Sequence, residues 1–366
     1  MRFLREATRT AGLGLLAALG IALLAGVLVA CIVAALGGNP AQALAAIVQG
    51  AAGSPDSLAE TLVRSTPLVF TGLSVAVAFR CGIWNIGAEG QFLAGMLGSA
   101  LAALLLPPLP APLGVPAALL AGTFAGALWS AVPAALKLRR DVPEVISTIM
   151  MNFLAVYLIE YLVRGPLKDP QSASDWSRPL PEWSRLPRLS QLGWPAAFPQ
   201  EFGRLHAGVL LSLLVVAGVW LWLARTGTGF RIRAVGLNPA AAAAAGMPVA
   251  RTLFTAFVAS GALAGLGGAV EQLGMIARLH RYLPGEPGYG FSAIAVALLG
   301  QLHPLGTLAS ALFFGALAAG CDRMQRAAGV SFQVAYVIEA ALVLLLIALP
   351  QRMRARAGKA AAEPSA

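Results

Sequence analysis

The chain has 366 residues, of which 58% are hydrophobic and 11% are charged, and its mean hydropathy is +0.76. Soluble domains carry roughly 25% charged residues, so this composition excludes a disordered chain, a disulfide-stapled secreted domain and an ordinary cytosolic enzyme, and it indicates a membrane protein. The 26 Lys and Arg exceed the 16 Asp and Glu. We interpret that excess as cationic loops beside anionic membrane lipid rather than as a surface for nucleic acid.

Hydropathy predicts an all-α polytopic membrane protein, in which residues 1–366 form a single transmembrane domain. A helix that crosses the bilayer needs about 20 predominantly apolar residues, and about ten membrane segments approach that length. In chain order they are 11–36, 58–78, 83–106, 114–136, 144–163, 207–224, 252–275, a pair within 288–321, and 332–349. The pair is interrupted at Gln301-Leu302-His303-Pro304, and each half is short for a full crossing. It forms either two short spans or a re-entrant hairpin.

The distribution of Lys and Arg predicts the orientation. More of them lie in segments on the same side as the N-terminus, so the positive-inside rule predicts that both termini are cytoplasmic. The interval 164–206 is then an extracytoplasmic loop, and 225–251 is a cytoplasmic loop. The last residues, 351–366, form a basic, flexible cytoplasmic tail.

An unusually polar stretch, Arg80-Cys81-Gly82-Ile83-Trp84-Asn85-Ile86-Gly87-Ala88-Glu89-Gly90-Gln91, opens the third predicted span. Polar side chains are costly in hydrocarbon unless they face partners or water. The stretch therefore either lines a substrate path or forms a buried hydrogen-bond network that locks helices together. The candidate pathway residues are Trp84, Asn85, Glu89, Gln91, Asn152, Glu271 and Glu339.

The loop 225–251 contains a predicted short helix. Asn238 is a good N-cap, Pro239 fits the first helical position, and Gly246 can close the C-terminus after a run of alanines that includes Ala242. Such a helix, with only methyl side chains, can lie close to another protein. It is either a docking element or an inert connector.

Motifs for covalent chemistry are missing from the sequence. None of the three lysines, Lys137, Lys168 and Lys359, belongs to a phosphate-binding loop, and the three histidines are scattered. We therefore predict that the chain is not an enzyme and holds no cofactor or metal. If it drives uphill transport with ATP, the hydrolysis takes place on another polypeptide.

Five ordered segments carry a family resemblance. They are Thr66 to Leu73, Ala78 to Gln91, Glu144 to Asn152, Arg233 to Asn238, and Gly290 to Gly300 with the following Pro304-Leu305-Gly306. Together they resemble the permease subunits of nucleoside and simple-sugar ABC importers, within the branched-chain amino acid and ribose permease family. The sequence around Asn85 to Gln91 looks most like the longer permease of nucleoside systems.

The resemblance implies a multi-pass permease of the bacterial inner membrane that translocates nucleosides or ribose-like sugars. Its implied partners are ATPase subunits that carry ATP and magnesium, a second homologous permease or a second copy, and an extracytoplasmic binding protein, all beside membrane lipid. The resemblance makes the 225–251 helix the coupling helix, with Asn238, Pro239, Ala242 and Gly246 as its candidate residues. The loop 164–206 either anchors tryptophans at the interface or docks the binding protein, or does both.

Three alternatives remain open at the level of sequence. A proton-coupled secondary transporter would use Glu89, Glu271 and Glu339 as a relay. A membrane-embedded enzyme would need catalytic groups in polar loops, which are short here. A branched-chain amino acid ABC permease would share the family but take another substrate.

Overall fold

The computed structural model describes residues 26–35, 37–192, 203–281 and 288–329, together with the single residues 337 and 340. Within these ranges the secondary structure is helical, apart from isolated β-bridges in loops, which confirms the all-α prediction. The chain divides into two compact units, one of residues Leu58–Ala316 and one of Met1–Ser57 with Leu317–Ala366.

Twelve helices are present in the described residues. They are α1 (Gly26–Ala35), α2 (Pro40–Ala52), α3 (Pro55–Arg80), α4 (Ala88–Leu105), α5 (Ala111–Arg140), α6 (Glu144–Arg164), α7 (Gly208–Arg225), α8 (Gly227–Leu237), α9 (Pro239–Ala244), α10 (Val249–Glu271), α11 (Tyr289–Leu299) and α12 (Pro304–Ala328). A π-helical turn, Gln272–Ile276, extends α10.

Seven of these helices are long and apolar enough to cross a membrane: α3, α4, α5, α6, α7, α10 and α12. They match the predicted spans from 58–78 to 252–275 and the second half of the pair. Only the end of the first predicted span, as α1, lies in the described part of the chain. Of the predicted span 332–349 only the single residues 337 and 340 are described, and the tail 351–366 and Glu339 lie outside the described residues.

The pair within 288–321 departs from its prediction. The first half is short, because α11 has 11 residues. The expectation that the second half is also short is wrong, since α12 has 25 residues and continues to Ala328. Hydropathy underestimated α12 because Asp322, Arg323 and Arg326 interrupt its apolar pattern, yet they are compatible with a helical backbone. The short helix α2 was not predicted.

Glycines let the central helices of the Leu58–Ala316 unit cross closely. Gly95 of α4 and Gly126 of α5 both face the backbone of α10 at Gly265, with no room for a Cβ atom. Small residues at such crossings allow dense van der Waals packing, which stabilises helix association in a membrane. α3 and α4 are largely buried inside the protein, whereas α5, α6 and α7 are mostly exposed.

The second unit contains a smaller helix pair. Gly50 of α2 lies against the backbone of α12 at Gly320, and Gly320 in turn lies against Ile47. Arg323 donates a hydrogen bond of 3.3 Å to Gln49. The C-terminal part of α12 is therefore packed on α2.

Candidate functional site

The polar signature forms a break between α3 and α4. The helix of the predicted span 83–106 begins at Ala88 rather than at residue 83. Gly82, with a φ of 80°, ends α3 in a Schellman motif, in which its own amide and the next one donate to carbonyls of the last helical turn. Glycine favours this ending because it adopts positive φ without a steric penalty. The residues up to Gly87 are then free to turn their backbone groups toward neighbouring helices.

Asn85 and Gln91 are buried and bonded to each other twice. Asn85 Nδ2 donates to Gln91 Oε1 over 3.0 Å, and Gln91 Nε2 donates to Asn85 Oδ1 over 3.1 Å. Asn85 Nδ2 also donates to Ser260 Oγ of α10 over 2.9 Å, and that hydroxyl lies 2.9 Å from Ser74 Oγ of α3. Groups from the break, α3, α4 and α10 thus satisfy one another in a region where an unpaired polar atom is costly.

Asn152 connects this break to α6. Its Oδ1 accepts a hydrogen bond of 2.8 Å from the Gly90 amide, and its Nδ2 donates over 2.9 Å to the Ile86 carbonyl. Both backbone groups lie where the chain enters α4, so helical hydrogen bonds do not satisfy them. A single asparagine therefore supplies the donor and the acceptor that the break requires.

Glu89 connects the break to α11. Its side chain is buried, and Oε2 accepts a hydrogen bond of 2.6 Å from the Gly290 amide. Glu89 lies in the first turn of α4, and Gly290 lies in the first turn of α11. The carboxylate is thus near two helix N-termini, where free amides and the helix dipole favour a negative charge. Gly290 packs directly against the α4 backbone and leaves no space for a side chain.

The structure therefore brings Asn85, Glu89, Gln91 and Asn152 together as one buried network. Trp84, from the same signature, is 56% exposed, and its ring centroid lies 4.9 Å from that of Phe79. The contacts of these four buried residues are those of a hydrogen-bond network between helices. Trp84 is the exposed residue of this group.

Glu271 lies elsewhere. It is eleven residues beyond Ser260 on α10, about 16 Å along the helix axis. It is buried and within electrostatic range of Arg64, Arg204 and Glu60. Glu60 accepts from Arg64 over 2.7 Å and from Arg204 over 2.8 Å. Glu60 and Arg64 form an i,i+4 ion pair on α3, and Glu271 belongs to this charged cluster. The described residues contain no group of three or more His, Cys, Asp or Glu that could hold a metal ion.

The helix α9 has the local structure that the sequence predicts, whereas α8 before it was not predicted. Asn238 caps α9, with its Oδ1 accepting from the Ala241 amide over 3.0 Å, and Pro239 occupies the first turn. Gly246 closes the helix with a φ of 76°. Ala242 faces inward and is buried, whereas Ala241 and its neighbours Ala240, Ala243 and Ala244 are exposed. The surface of α9 that can meet another molecule is therefore formed by those four alanines.

The long loop between α6 and α7 is folded back on the segment that follows α10. The Ser177 amide donates to the Leu279 carbonyl over 2.8 Å, and the Leu279 amide donates to Ser177 Oγ over 2.9 Å. The Arg278 guanidinium lies 5.5 Å from the Trp176 ring centroid, a distance typical of cation–π pairs. Trp183 lies against Gly114 of α5, and Trp194 is outside the described residues.

Comparison with known proteins agrees with this arrangement. The profile of the family described as branched-chain amino acid transport system / permease component matches residues 57–349, which include every described element of the site. The chain belongs to this permease family. No solved structure gives a significant match.

Three relatives of the permease match over most of its length. The guanosine ABC transporter permease protein NupP of Bacillus subtilis is 34% identical over 88% of this chain and 90% of its own. The glucose ABC transporter permease protein TsgB13 of Haloferax volcanii is 34% identical, covering 82% and 78% respectively. The nucleoside ABC transporter permease protein NupB of Lactococcus lactis is 31% identical, covering 87% and 86%.

One residue of the permease site was missed in the sequence. Arg80 stands at the start of the polar stretch but is not among the candidate pathway residues, yet its Nε donates over 2.7 Å to the Leu302 carbonyl between α11 and α12. Its own carbonyl lies against Gly236 of α8. The signal that could have indicated a role was the position of Arg80 two residues before the helix-ending Gly82. Nothing in Gln301-Leu302 indicated that both residues have positive φ.

Proposed function

We propose that the chain is the membrane-spanning permease subunit of an ABC importer for nucleosides, with simple sugars as the second substrate class. A binding protein delivers the substrate on the extracytoplasmic side, and ATP is hydrolysed with magnesium on separate subunits in the cytoplasm. The permease itself performs no covalent chemistry. It works in the bacterial inner membrane with a second permease chain, homologous or identical, and surrounding lipid.

The observation that carries this proposal is that nucleoside ABC permeases align with most of this chain. Two of the three relatives named above are nucleoside or guanosine ABC permeases, and each aligns with more than four fifths of this chain. The glucose permease aligns at similar identity, so sugars stand second. Branched-chain amino acids stand third, supported by the description of the family.

The α9 surface supports the partnership with an ATPase. Ala240, Ala241, Ala243 and Ala244 form an exposed face of small side chains, which a groove of another protein can approach closely. The preceding helix α8 carries Arg231 and Arg233, which can meet acidic groups of such a partner. Asn238 and Pro239 define where this docking helix begins, Gly246 defines where it ends, and Ala242 fixes it to the rest of the chain.

On the opposite face, the loop 164–206 supports docking of a binding protein. Trp176, Arg278 and His280 line an open cavity of about 600 Å³ between this loop and the segment after α10. Its wall is held by backbone hydrogen bonds, so the surface is already formed before a partner arrives. The tryptophans also suit anchoring at the membrane interface.

The substrate path is proposed to pass the break between α3 and α4. Trp84, supported by Phe79, offers an exposed aromatic face on which a nucleobase or the apolar face of a sugar can stack. Asn85, Glu89, Gln91 and Asn152 hold the break in shape from behind. Their buried contacts favour a role in maintaining the path over direct contact with solute.

Transport by the reconstituted complex tests the proposal. Permease, second permease, ATPase and binding protein are placed in liposomes, and uptake of labelled guanosine, ribose, glucose and leucine is measured with ATP inside. We expect saturable guanosine uptake that exceeds uptake of the other three. Uptake of glucose or leucine alone would overturn the substrate assignment, and accumulation of substrate without ATP would overturn the assignment to an importer of this class.

A further inference from the structure

Arg80 joins two helix ends that are distant in sequence. It is the last residue of α3, and its Nε donates a hydrogen bond of 2.7 Å to the Leu302 carbonyl. Leu302 belongs to a Schellman motif that ends α11: its amide donates to the Ala297 carbonyl over 2.8 Å, and the Gln301 amide donates to the Leu298 carbonyl over 3.0 Å. The turn after α11 is therefore tied to the end of α3 by one side chain.

That turn has an unfavourable backbone conformation. Gln301 has a φ of 53° and Leu302 has a φ of 56°. Non-glycine residues pay about 1 kcal/mol or more each in the left-handed region, so two in succession persist only where the surroundings hold them. The Leu302 side chain packs with Val75, Ala76 and Ala297, and the bond from Arg80 holds its carbonyl. Loss of that bond is expected to let this turn relax.

Arg80 also touches the element that leads to α9. Its carbonyl lies directly against Gly236 of α8, where a Cβ atom would overlap with it. Two residues later, Asn238 ends α8 and caps α9. Because a single residue joins the two helices, a displacement of α9 is transmitted to α8, and through Gly236 to the backbone of Arg80.

The far end of α11 is fixed as well. The Gly290 amide is bonded to Glu89, and the Tyr289 carbonyl accepts from Thr71 Oγ1 over 3.2 Å. These contacts are at the first two residues of the 11-residue helix α11, and the rest of the helix lies between them and the turn at Leu302. A shift of the turn therefore moves α11 as a rigid element against the signature network.

The electrostatic surroundings of Arg80 contain a second cation, Arg233, and a histidine whose protonation is disfavoured by burial and by Arg80 itself. Arg233 of α8 and the His303 ring lie within electrostatic range, and no carboxylate pairs with Arg80 among residues 58–192, 203–281 and 288–316. The guanidinium is thus held by hydrogen-bond geometry rather than by an ion pair. Lysine keeps the charge but lacks the planar guanidinium with its N–H donors in fixed directions, so it is not an equivalent replacement for Arg80.

We propose that Arg80 is a positioning residue that couples the α8–α9 pair to α11, so that movement at α9 is passed through Gly236, Arg80 and Leu302 to the break beside Glu89. This role rests on the proposed function, in which α9 receives the movement of an ATPase. The experiment therefore has one readout that requires transport and one that does not.

In the assembled complex, Arg80→Lys is compared with the wild type and with Arg323→Lys. Arg323 is a control because its guanidinium also donates to an oxygen, Gln49 Oε1 over 3.3 Å, and it has no place in the proposed route from α9 to α11. For Arg80→Lys we expect unchanged ATPase co-purification and retained ATP hydrolysis, but uptake per ATP lower by about tenfold. Wild-type uptake, or a parallel loss of assembly, hydrolysis and uptake, would overturn the inference.

The second readout is hydrogen exchange of the amides at 297–303, measured by mass spectrometry on the permease in detergent. Gly236→Ala should increase this exchange by about threefold or more in the wild-type background and add nothing in the Arg80→Lys background. Equal effects of Gly236→Ala in both backgrounds would overturn the inference. If the wild-type complex shows no ATP-driven uptake, the proposed function fails, and the exchange result still decides the coupling.

Discussion

The Glu89 carboxylate accepts a hydrogen bond of 2.6 Å from the Gly290 amide, so one buried side chain lies at the first turns of both α4 and α11. Both helix ends favour a negative charge at this position. The two residues are 201 positions apart in the sequence, and they belong to two of the segments that carry the family resemblance. This geometry favours an anchoring role for Glu89 over a proton relay, which would disrupt the contact with each turnover.

The first prediction concerns that anchor. Glu89→Gln keeps the shape and one acceptor but removes the charge that both helix N-termini stabilise. We expect the free energy of unfolding to fall by about 2 kcal/mol, measured by thermal or denaturant unfolding in detergent. Glu144→Gln is the matched control, because Glu144 also lies in the first turn of a helix but pairs with the more exposed Lys137 at 3.5 Å. Equal losses in the two variants would contradict the anchoring role.

Trp84 provides the second prediction. Because its side chain is 56% exposed, Trp84→Ala should leave the melting temperature nearly unchanged. If its ring stacks on substrate, the substrate concentration needed for half-maximal uptake should rise by about three- to tenfold in Trp84→Ala. In Trp84→Phe this concentration should stay close to the wild-type value. Phe153→Ala, an equally exposed aromatic residue of α6, is the control and should transport normally. An unchanged uptake curve for Trp84→Ala would remove Trp84 from the path.

The third prediction concerns the docking face of α9. Ala243 is exposed, whereas Ala242 is buried, so the informative substitution is Ala243→Arg. A long side chain there should prevent close approach and reduce ATPase co-purification by about tenfold, with membrane insertion intact. Ala173→Arg, the same change at an exposed loop position between α6 and α7, should have no effect on co-purification. Full recovery of the ATPase with Ala243→Arg would count against the coupling assignment.

His206 gives the fourth prediction, which concerns pH. Burial lowers the pKa of His206 to about 4, and Arg188 adds to the effect. Because the unfolded chain binds a proton near pH 6.5 and the folded chain does not, stability is retained above pH 6.5 and declines as the pH falls toward 4. This residue alone should remove about 2 kcal/mol between pH 7.5 and pH 5.

The check is the pH dependence of unfolding in the wild type and in His206→Gln. His206 Nδ1 accepts from the Gly208 amide over 3.1 Å, an acceptor role that glutamine can retain. The variant should lose stability less steeply over the same pH range. Parallel curves for the two proteins would show that His206 is not the group that titrates.

The sequence predicted the elements whose cause is local. Asparagine, proline and glycine at 238, 239 and 246 mark helix ends by their own conformational preferences, and the structure has those ends where the residues stand. Apolar length predicted the helices α3 to α7 and α10 for the same reason. The length of α12 was missed because charged residues near its end resemble a loop in a hydropathy profile.

The sequence could not predict contacts whose cause is tertiary. Asn85, Gln91 and Asn152 were recognised as too polar for hydrocarbon, but their partners, Ser260, Gly90 and Ile86, are ordinary residues that only the fold brings close. The contact of Arg80 could not be predicted for a similar reason, since its acceptor is the backbone carbonyl of Leu302. An inward-facing Ala242 could not be told from its exposed neighbours, because a run of alanines has no apolar periodicity.

The most direct test of the central claim is the energy source of uptake in the reconstituted complex. Labelled guanosine uptake is compared between the wild-type ATPase and a variant that binds but does not hydrolyse ATP, each with and without a proton ionophore. We predict that loss of hydrolysis abolishes uptake and that the ionophore has no effect. Uptake that survives the inactive ATPase and collapses with the proton gradient would contradict an ATP-driven permease and favour proton-coupled transport through Glu89, Glu271 and Glu339.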